Sequence, residues 1–330
     1  MAFLIFATLL HCGSLLHKKV LSDLKDKKMN KRINVDVIIV GGNYAGLSAA
    51  MALGRALRRV TVIDNGLPCN RQTPFSHNFL TQDGVEPSTI AQKAKQQVEA
   101  YQTVAFHTDT VVEVVKMSNV FQVNTLSKQF FTAPKIIFAT GVKDIMPNIP
   151  GFSECWGISV LHCPYCHGYE VRQEATGILA NGDVAFHYAK LIRNWTKNLT
   201  IFTDGKSTLS DEQLQKLAQH GIAVIEKKIV SLDHECGMLQ QIVFSDNSTH
   251  PVKAIYSRPN FVQHCPIPES LGCELTEQGL LKVDGMQKTT VPGIFACGDS
   301  THAMRSVANA VATGNMAGAA ANNELIGEAF

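Results

Sequence analysis

The sequence predicts an α/β fold in which a second Rossmann-like nucleotide-binding unit is nested inside a first, discontinuous one, each around a parallel central sheet. Three observations predict it. Residues 35–40, Val-Asp-Val-Ile-Ile-Val, read as a buried strand that ends at the glycine turn Gly41-Gly42-Asn43-Tyr44-Ala45-Gly46. A fainter version of the same strand, turn and helix begins at Thr176-Gly-Ile-Leu-Ala180. Near the end of the chain, Gly293-Ile-Phe-Ala-Cys-Gly298 is a strand running into glycine with no domain start of its own, so the tail returns to complete the first unit.

Taken in order, the first turn leads into a small-residue helix over 46–58, and Val60-Thr-Val-Ile-Asp64 is the next strand. Ser88 to Glu99 is helical in pattern, and residues 102–124 alternate as strands do. Lys135-Ile-Ile-Phe-Ala-Thr-Gly141 is another buried strand ending in glycine, and Pro147 and Pro150 mark a boundary near residue 150. In the second unit a helix over 184–194 precedes the strand Leu199-Thr-Ile-Phe-Thr203; a helix over 209–219 and strands over 222–231 and 239–244 follow. The last segment, 303–325, is a helix rich in alanine and glycine, suited to close packing on a sheet or ligand. The expected organisation is a leader or upstream extension over 1–32, a first domain over 33–150 and 254–330, and a second over 151–253.

Composition narrows the function classes. At 330 residues, 45% hydrophobic and 18% charged, the chain buries at least one large core. A net charge of +2, with no long basic run beyond the extreme N-terminus, gives no footprint for nucleic acid. The apolar start, Met1 to Leu10, is too short to span a bilayer and lacks a preceding positive charge; a signal peptide stays open, but Met29 just ahead of a well-formed domain favours an upstream extension and a cytoplasmic protein. Of nine cysteines only Cys163 and Cys166 form a close pair. Without a second such pair the CxxC reads first as redox chemistry, with zinc, helped by His162 and His167, the alternative.

The nucleotide signals differ in quality. Gly41 and Gly46 fill the first and third places of G-x-G-x-x-G, while Asn43 stands where the pyrophosphate-facing glycine is usual; Asp64, at the next strand end, is placed for a ribose. Gly298-Asp299 ends a strand ahead of a long helix, so Asp299 either contacts the cofactor or caps that helix. In the second unit, Ala180-Asn181-Gly182-Asp183 loses the first glycine, and no arginine cluster follows Thr203 to clasp a 2′-phosphate. Asn181, Gly182, Asp183 and Asp204 are candidate NADH contacts; the competing reading makes Asp204 a turn residue of a domain that no longer binds nicotinamide.

Together these features resemble the low-molecular-weight thioredoxin reductases over residues 33–327: the Gly41 to Gly46 turn, the loop Phe75-Ser-His-Asn-Phe-Leu80, Ala139-Thr-Gly141, the cysteine pair, and Phe295-Ala-Cys-Gly-Asp299 followed by Arg305. The resemblance implies two nested three-layer domains, non-covalent FAD, a homodimer, and a second domain that rotates to bring nicotinamide and cysteines to the flavin by turns. It places Gly41, Gly42, Asn43, Tyr44, Ala45, Gly46, Asp64, Asn78, Ala139, Thr140, Gly141, Gly298, Asp299, Arg305, Ser306 and Val307 around FAD. It also implies that Cys166 is the thiolate nearest the flavin and Cys163 the outer thiol that attacks substrate.

The x-x spacing lets both sulfurs reach disulfide geometry, and a helix N-terminus lowers a thiol pKa. Where thioredoxin reductases carry an acidic proton donor after the second cysteine, this chain has His167, a group that titrates near neutrality. Cys-Pro-Tyr-Cys-His looks like a divergent branch that includes dithiol oxidases. The expected function is therefore FAD-dependent disulfide oxidoreduction, with NADPH or NADH reducing FAD, then the cysteine pair, then thioredoxin or a small-molecule disulfide. The alternatives are a dithiol oxidase using oxygen, a protein electron donor such as ferredoxin, and a non-catalytic flavin-binding sensor.

Overall fold

The computed structural model describes residues 32–330, so the expectations about the leader, including Met29, lie outside the described residues except at Arg32. The first unit is built on five parallel strands, in spatial order Ile294–Ala296, Lys135–Phe138, Val37–Val40, Val60–Asp64 and Val104–Thr108. Val37, Ile38, Ile39, Ile136, Ile137 and Phe138 are fully buried, as a sheet covered on both faces requires. One face carries the helices Tyr44–Arg55, Pro87–Glu99 and Val307–Ala329. The other carries a four-stranded sheet of Ile33–Asn34, Phe130–Ala133, Val120–Thr125 and Val111–Met117. This is the expected three-layer unit.

The long C-terminal helix is fastened at its middle and its end. Around its middle Gly314 and Gly318 lie against the backbone of Ala45 and Ala49. Near its end Glu324 and Glu328 close on Lys135, whose ammonium is almost wholly buried; Glu324 lies 2.9 Å from Lys135 and 3.0 Å from Lys288.

The second unit repeats the plan with five parallel strands ordered Val160–Leu161, Ala254–Ser257, Thr176–Leu179, Leu199–Phe202 and Ala223–Ile225. Helices Gly182–Ile192 and Asp211–Gln219 cover one face, and the antiparallel strands Ile229–Glu235, Met238–Phe244 and Thr249–Pro251 cover the other. One boundary needs correction. Ala254–Ser257 pairs with strands of the second sheet on both sides, so that sheet runs past the division expected at 253/254. Pro251, three residues ahead, reads as a boundary signal just as Pro147 and Pro150 do, and the strand is assigned to the second sheet only by its partners.

The chain passes between the units twice, through Val142–Asp144 and back through Phe261–Gln263, and the two passages pair as an antiparallel ribbon with Phe261 opposite Asp144. No described helix is long and apolar enough to cross a membrane.

Candidate active site

The glycine turn lies at the carboxyl end of the first sheet, where an open α/β sheet binds its ligand. Gly41 has φ of +101°, and a Cβ there would overlap the carbonyl of Ala139; a Cβ on Gly46 would overlap the carbonyl of Gly41. The turn is closed by Gly41 N–H donating to Ile63 O at 2.9 Å and Gly42 N–H donating to Asp64 Oδ1 at 2.8 Å. Asp64 receives Gly66 N–H on its other oxygen, leaving lone pairs for ribose hydroxyls. Asn43 Oδ1 and Thr140 Oγ1 are buried in the protein without a hydrogen-bond partner among the described residues. A bare backbone cradle, an acid at the next strand end and two orphaned polar atoms fit the diphosphate and sugar of FAD.

Several expected contacts have other duties. The Tyr44 hydroxyl donates to Pro87 O at 2.9 Å, tying the turn to the next helix rather than presenting itself to a ligand. Gly298 N–H donates to Thr313 Oγ1 at 3.0 Å. Asp299 does not begin the long helix: Gly298–Ser300 is a single 3₁₀ turn, and the helix starts at Val307 with Ser306 as its cap, receiving Asn309 N–H at 3.2 Å. Thr301 to Ser306 carry neither proline nor glycine, so nothing local in the sequence separates the turn from the helix start. Ala45 packs under Gly298, and Val307 packs on the first core. Gly141 ends the Lys135–Phe138 strand in the left-handed region at φ +65°, and Asn78 is exposed, its N–H donating to Asp83 Oδ1 at 2.8 Å.

Arg305 is neither free nor part of a surface pair. It grips Asp144 with two hydrogen bonds of 2.7 and 2.8 Å, both side chains largely buried, and its Nε lies 3.7 Å from Asp299 Oδ2. The clasp therefore joins the start of the long helix to the interdomain ribbon. Burial pushes the Asp299 carboxyl up, against the pull of Arg305. Asp144 was not singled out from the sequence, since a partner 161 positions away leaves no local signature.

Cys163 and Cys166 bracket one helical turn, Pro164–His167, and their sulfurs lie 2.6 Å apart. Cys163 has extended backbone ahead of the turn, and the N–H groups of Tyr165 and Cys166 aid its thiolate. The neighbouring Cys166 thiol draws the Cys163 thiol down to about 7, against burial. Cys166 moves the opposite way, pushed up by its partner, by burial and by the Asp299 carboxylate of the first unit. Cys166 is thus the sulfur on which the Asp299 carboxylate acts. The helix-start N–H groups face only Cys163, so the backbone favours a thiolate there.

Two histidines flank the pair. Burial draws His162 down to about 4, reinforced by Arg305. Burial and the adjacent His77 also lower His167, with Glu170 opposing, so His167 is neutral and can accept a proton. The rings of His77 and His167 meet edge-on at 6.5 Å, and His77 Nδ1 is 3.6 Å from both Asp83 and Glu170. His77 lies in the Phe75 to Leu80 loop, whose match gave it no role of its own. Among the described residues no group of three or more His, Cys, Asp or Glu side chains is arranged to hold a metal.

The second nucleotide turn is occupied by its own side chains. Asn181 Oδ1 receives Gly182 N–H and Thr208 N–H, each at 2.8 Å, and its amide donates to Lys206 O at 2.9 Å. Asp183 accepts from Gln213 at 2.7 Å. Asp204 accepts from Lys228 Nζ at 2.7 Å and Ile229 N–H at 2.8 Å. The nicotinamide candidates are thus brought to one sheet end, where Asn181, Asp183 and Asp204 each hydrogen-bond within the domain.

Two nested dinucleotide-type units and a vicinal cysteine pair at their junction define a flavin-linked disulfide oxidoreductase. The family model for pyridine nucleotide-disulphide oxidoreductases matches residues 35–314, and the chain belongs to that family. It is similar to the thioredoxin reductase sirT of Leptosphaeria maculans, 31% identical over 310 residues covering 88% of this chain and 94% of the relative. The thioredoxin reductase tcpT of Claviceps purpurea is 30% identical, covering 89% of this chain and 95% of its own. The crystal structure of an oxidoreductase from Agrobacterium tumefaciens superposes with a TM-score of 0.84 at 37% identity, covering 89% of this chain and 99% of that one. The chain is an FAD-dependent, thioredoxin-reductase-like disulfide oxidoreductase enzyme.

Proposed function

We propose that the chain moves electron pairs from NADPH or NADH through FAD and the Cys163–Cys166 disulfide to a thioredoxin-like protein or a small-molecule disulfide. The observation that carries this reading is the adjoining sulfur pair beside Asp299 at the carboxyl end of the FAD unit. FAD, when bound, supplies the two-electron redox chemistry. With the pair reduced, the Cys163 thiolate attacks the substrate disulfide and releases one thiolate. Cys166, losing its proton to neutral His167, then attacks Cys163; the Cys163–Cys166 bond forms as the second substrate thiolate departs. The family resemblance supports a homodimer, and the reading carries with it a cytoplasmic protein.

A second reading runs the exchange backward, a dithiol oxidase that closes a small-molecule dithiol and passes the electrons to oxygen. The specific observation in its favour is the second turn, whose Asn181, Asp183 and Asp204 already bond within the domain. Anaerobic mixing of the FAD-loaded chain with NADPH, NADH or a dithiol, followed by flavin absorbance, decides between them. Rapid bleaching by either nucleotide supports the reductase. Bleaching by dithiol alone, reversed by air, removes the nicotinamide-dependent reading.

A further inference from the structure

Tyr256 sits on an interior strand of the second sheet, Ala254–Ser257, directly opposite Leu161 and Ile178 in register. It is 1% exposed, and among the described residues its hydroxyl has no hydrogen-bond partner. A buried hydroxyl left unpaired costs about 1–3 kcal/mol, and phenylalanine would fill the same space without that cost. The side chain packs in one cluster with Leu161, Ala185, Tyr188 and Ala189, between the sheet and the helix Gly182–Ile192. Leu161 is two residues ahead of Cys163, so the cysteine turn leaves the sheet from the strand next to Tyr256.

The neighbouring Tyr188 marks the place. Its hydroxyl donates to the His162 carbonyl at 3.3 Å, so that cluster reaches the residue immediately before Cys163. Tyr188 is thus satisfied and Tyr256 is not. The ionisable groups acting on Tyr256 are Cys163, Glu170, Cys166 and Tyr188, which with burial push its phenol to the high end and keep it a donor throughout the working range. A group fixed as a donor, without an acceptor, and set beside the strand that runs into Cys163 is placed for an acceptor that appears only during turnover.

We propose that Tyr256 is a hydrogen-bond donor to the Cys163 thiolate of the open dithiol. When two electrons and one proton open the Cys163–Cys166 disulfide, one sulfur leaves as a thiol and the other as a thiolate. Rotation of Cys163 about its Cα–Cβ bond away from Cys166 carries the anionic sulfur to the phenol, which retains its proton. The donor holds the outer sulfur as a thiolate in the interval before substrate arrives and loses its partner again when the disulfide recloses. This rests on the cysteine pair being the redox centre, which is read separately from whether non-reducing peptide maps of the wild-type chain interconvert Cys163–Cys166 disulfide and dithiol.

The test is the pH dependence of Cys163 alkylation. The FAD-loaded chain is reduced with a phosphine and pulsed with iodoacetamide from pH 5 to 9, and the Cys163 peptide is quantified by mass spectrometry for wild type, Tyr256→Phe and Tyr188→Phe. Losing a hydrogen bond to the charged form raises the Cys163 curve by about one pH unit, about a tenfold fall in alkylation on the acid side, in Tyr256→Phe alone. Its Tm stays level or rises, which separates the effect from a packing defect. Superimposable Cys163 curves in wild type and Tyr256→Phe overturn the proposal, as do equal shifts in both variants.

Discussion

Gly314→Ala tests whether the FAD turn depends on the close crossing of two helices. A Cβ at Gly314 would overlap the carbonyl oxygen of Ala45 and stand 2.8 and 2.9 Å from its C and Cα atoms, against an ordinary contact of 3.4–4 Å. All three obstacles are backbone, so no rotamer change relieves them. The helices must part by roughly half an ångström or more, and interiors packed to crystal density yield little. Overpacking of this kind costs about 1–3 kcal/mol, or on the order of 1–4 °C in Tm for a chain of this size. Ala45 belongs to the glycine turn, so the displacement is delivered to the cradle itself and FAD retention falls with stability. Flavin content from the ratio of visible to protein absorbance, with Tm from flavin fluorescence, measures both. Gly327→Ala is the control: the same helix, with nothing within 4 Å of the new Cβ. Its exchange should stabilise by up to about 1 kcal/mol through helix propensity. If Gly314→Ala keeps wild-type flavin content and Tm, the close approach is not what holds the turn.

Cys166→Ser should leave FAD content unchanged and trap Cys163 in a mixed disulfide with substrate, seen as a mass adduct on the Cys163 peptide; an adduct elsewhere would reverse the outer and inner assignments. His162 has a folded pKa of about 4 against an ordinary 6.5, so the unfolded chain binds this proton more readily. Stability therefore falls as pH drops from 6.5 toward about 4, by up to about 3 kcal/mol, and His162→Gln should flatten a plot of Tm against pH over that window. An unaltered slope would assign the acid sensitivity to other groups. Lys135→Met leaves Glu324 with Lys288 alone and Glu328 without its buried partner, an expected loss of about 1–3 kcal/mol concentrated at the end of the long helix. Hydrogen exchange over residues 320–329 should accelerate first, and unchanged protection there would contradict the fastening.

The parts of the fold legible in the sequence were those with local grammar. Val37 to Val40 announces a strand because both faces are buried, and Gly41 announces a turn because no side chain fits beneath the Ala139 carbonyl. Asp64 is found because it ends the next strand. What stayed hidden is held by distant partners. Asp144 acquires meaning only when Arg305 closes on it, and Ala254–Ser257 only when strands on both sides claim it. Asn181 reads from the sequence as a ligand contact, and only the fold shows that its side-chain oxygen also receives Thr208 N–H. The cysteine pair is plain from its spacing, but which of its sulfurs the helix-start N–H groups face is settled only by the fold.

The paired passages Val142–Asp144 and Phe261–Gln263 also bear on how such a chain can change over generations. Side chains alternate along a strand, so one residue inserted or deleted in either passage reverses which side of the ribbon every later residue takes. Asp144 would then turn away from Arg305, and two nucleotide units that are each internally sound would lose their common clasp. Surface turns such as Ser118–Asn119 or Asp246–Asn247, lying at hairpin tips, carry no such constraint. Length variation among relatives, and room for grafted loops in engineered versions, should therefore collect at the hairpins and be absent from these two short crossings.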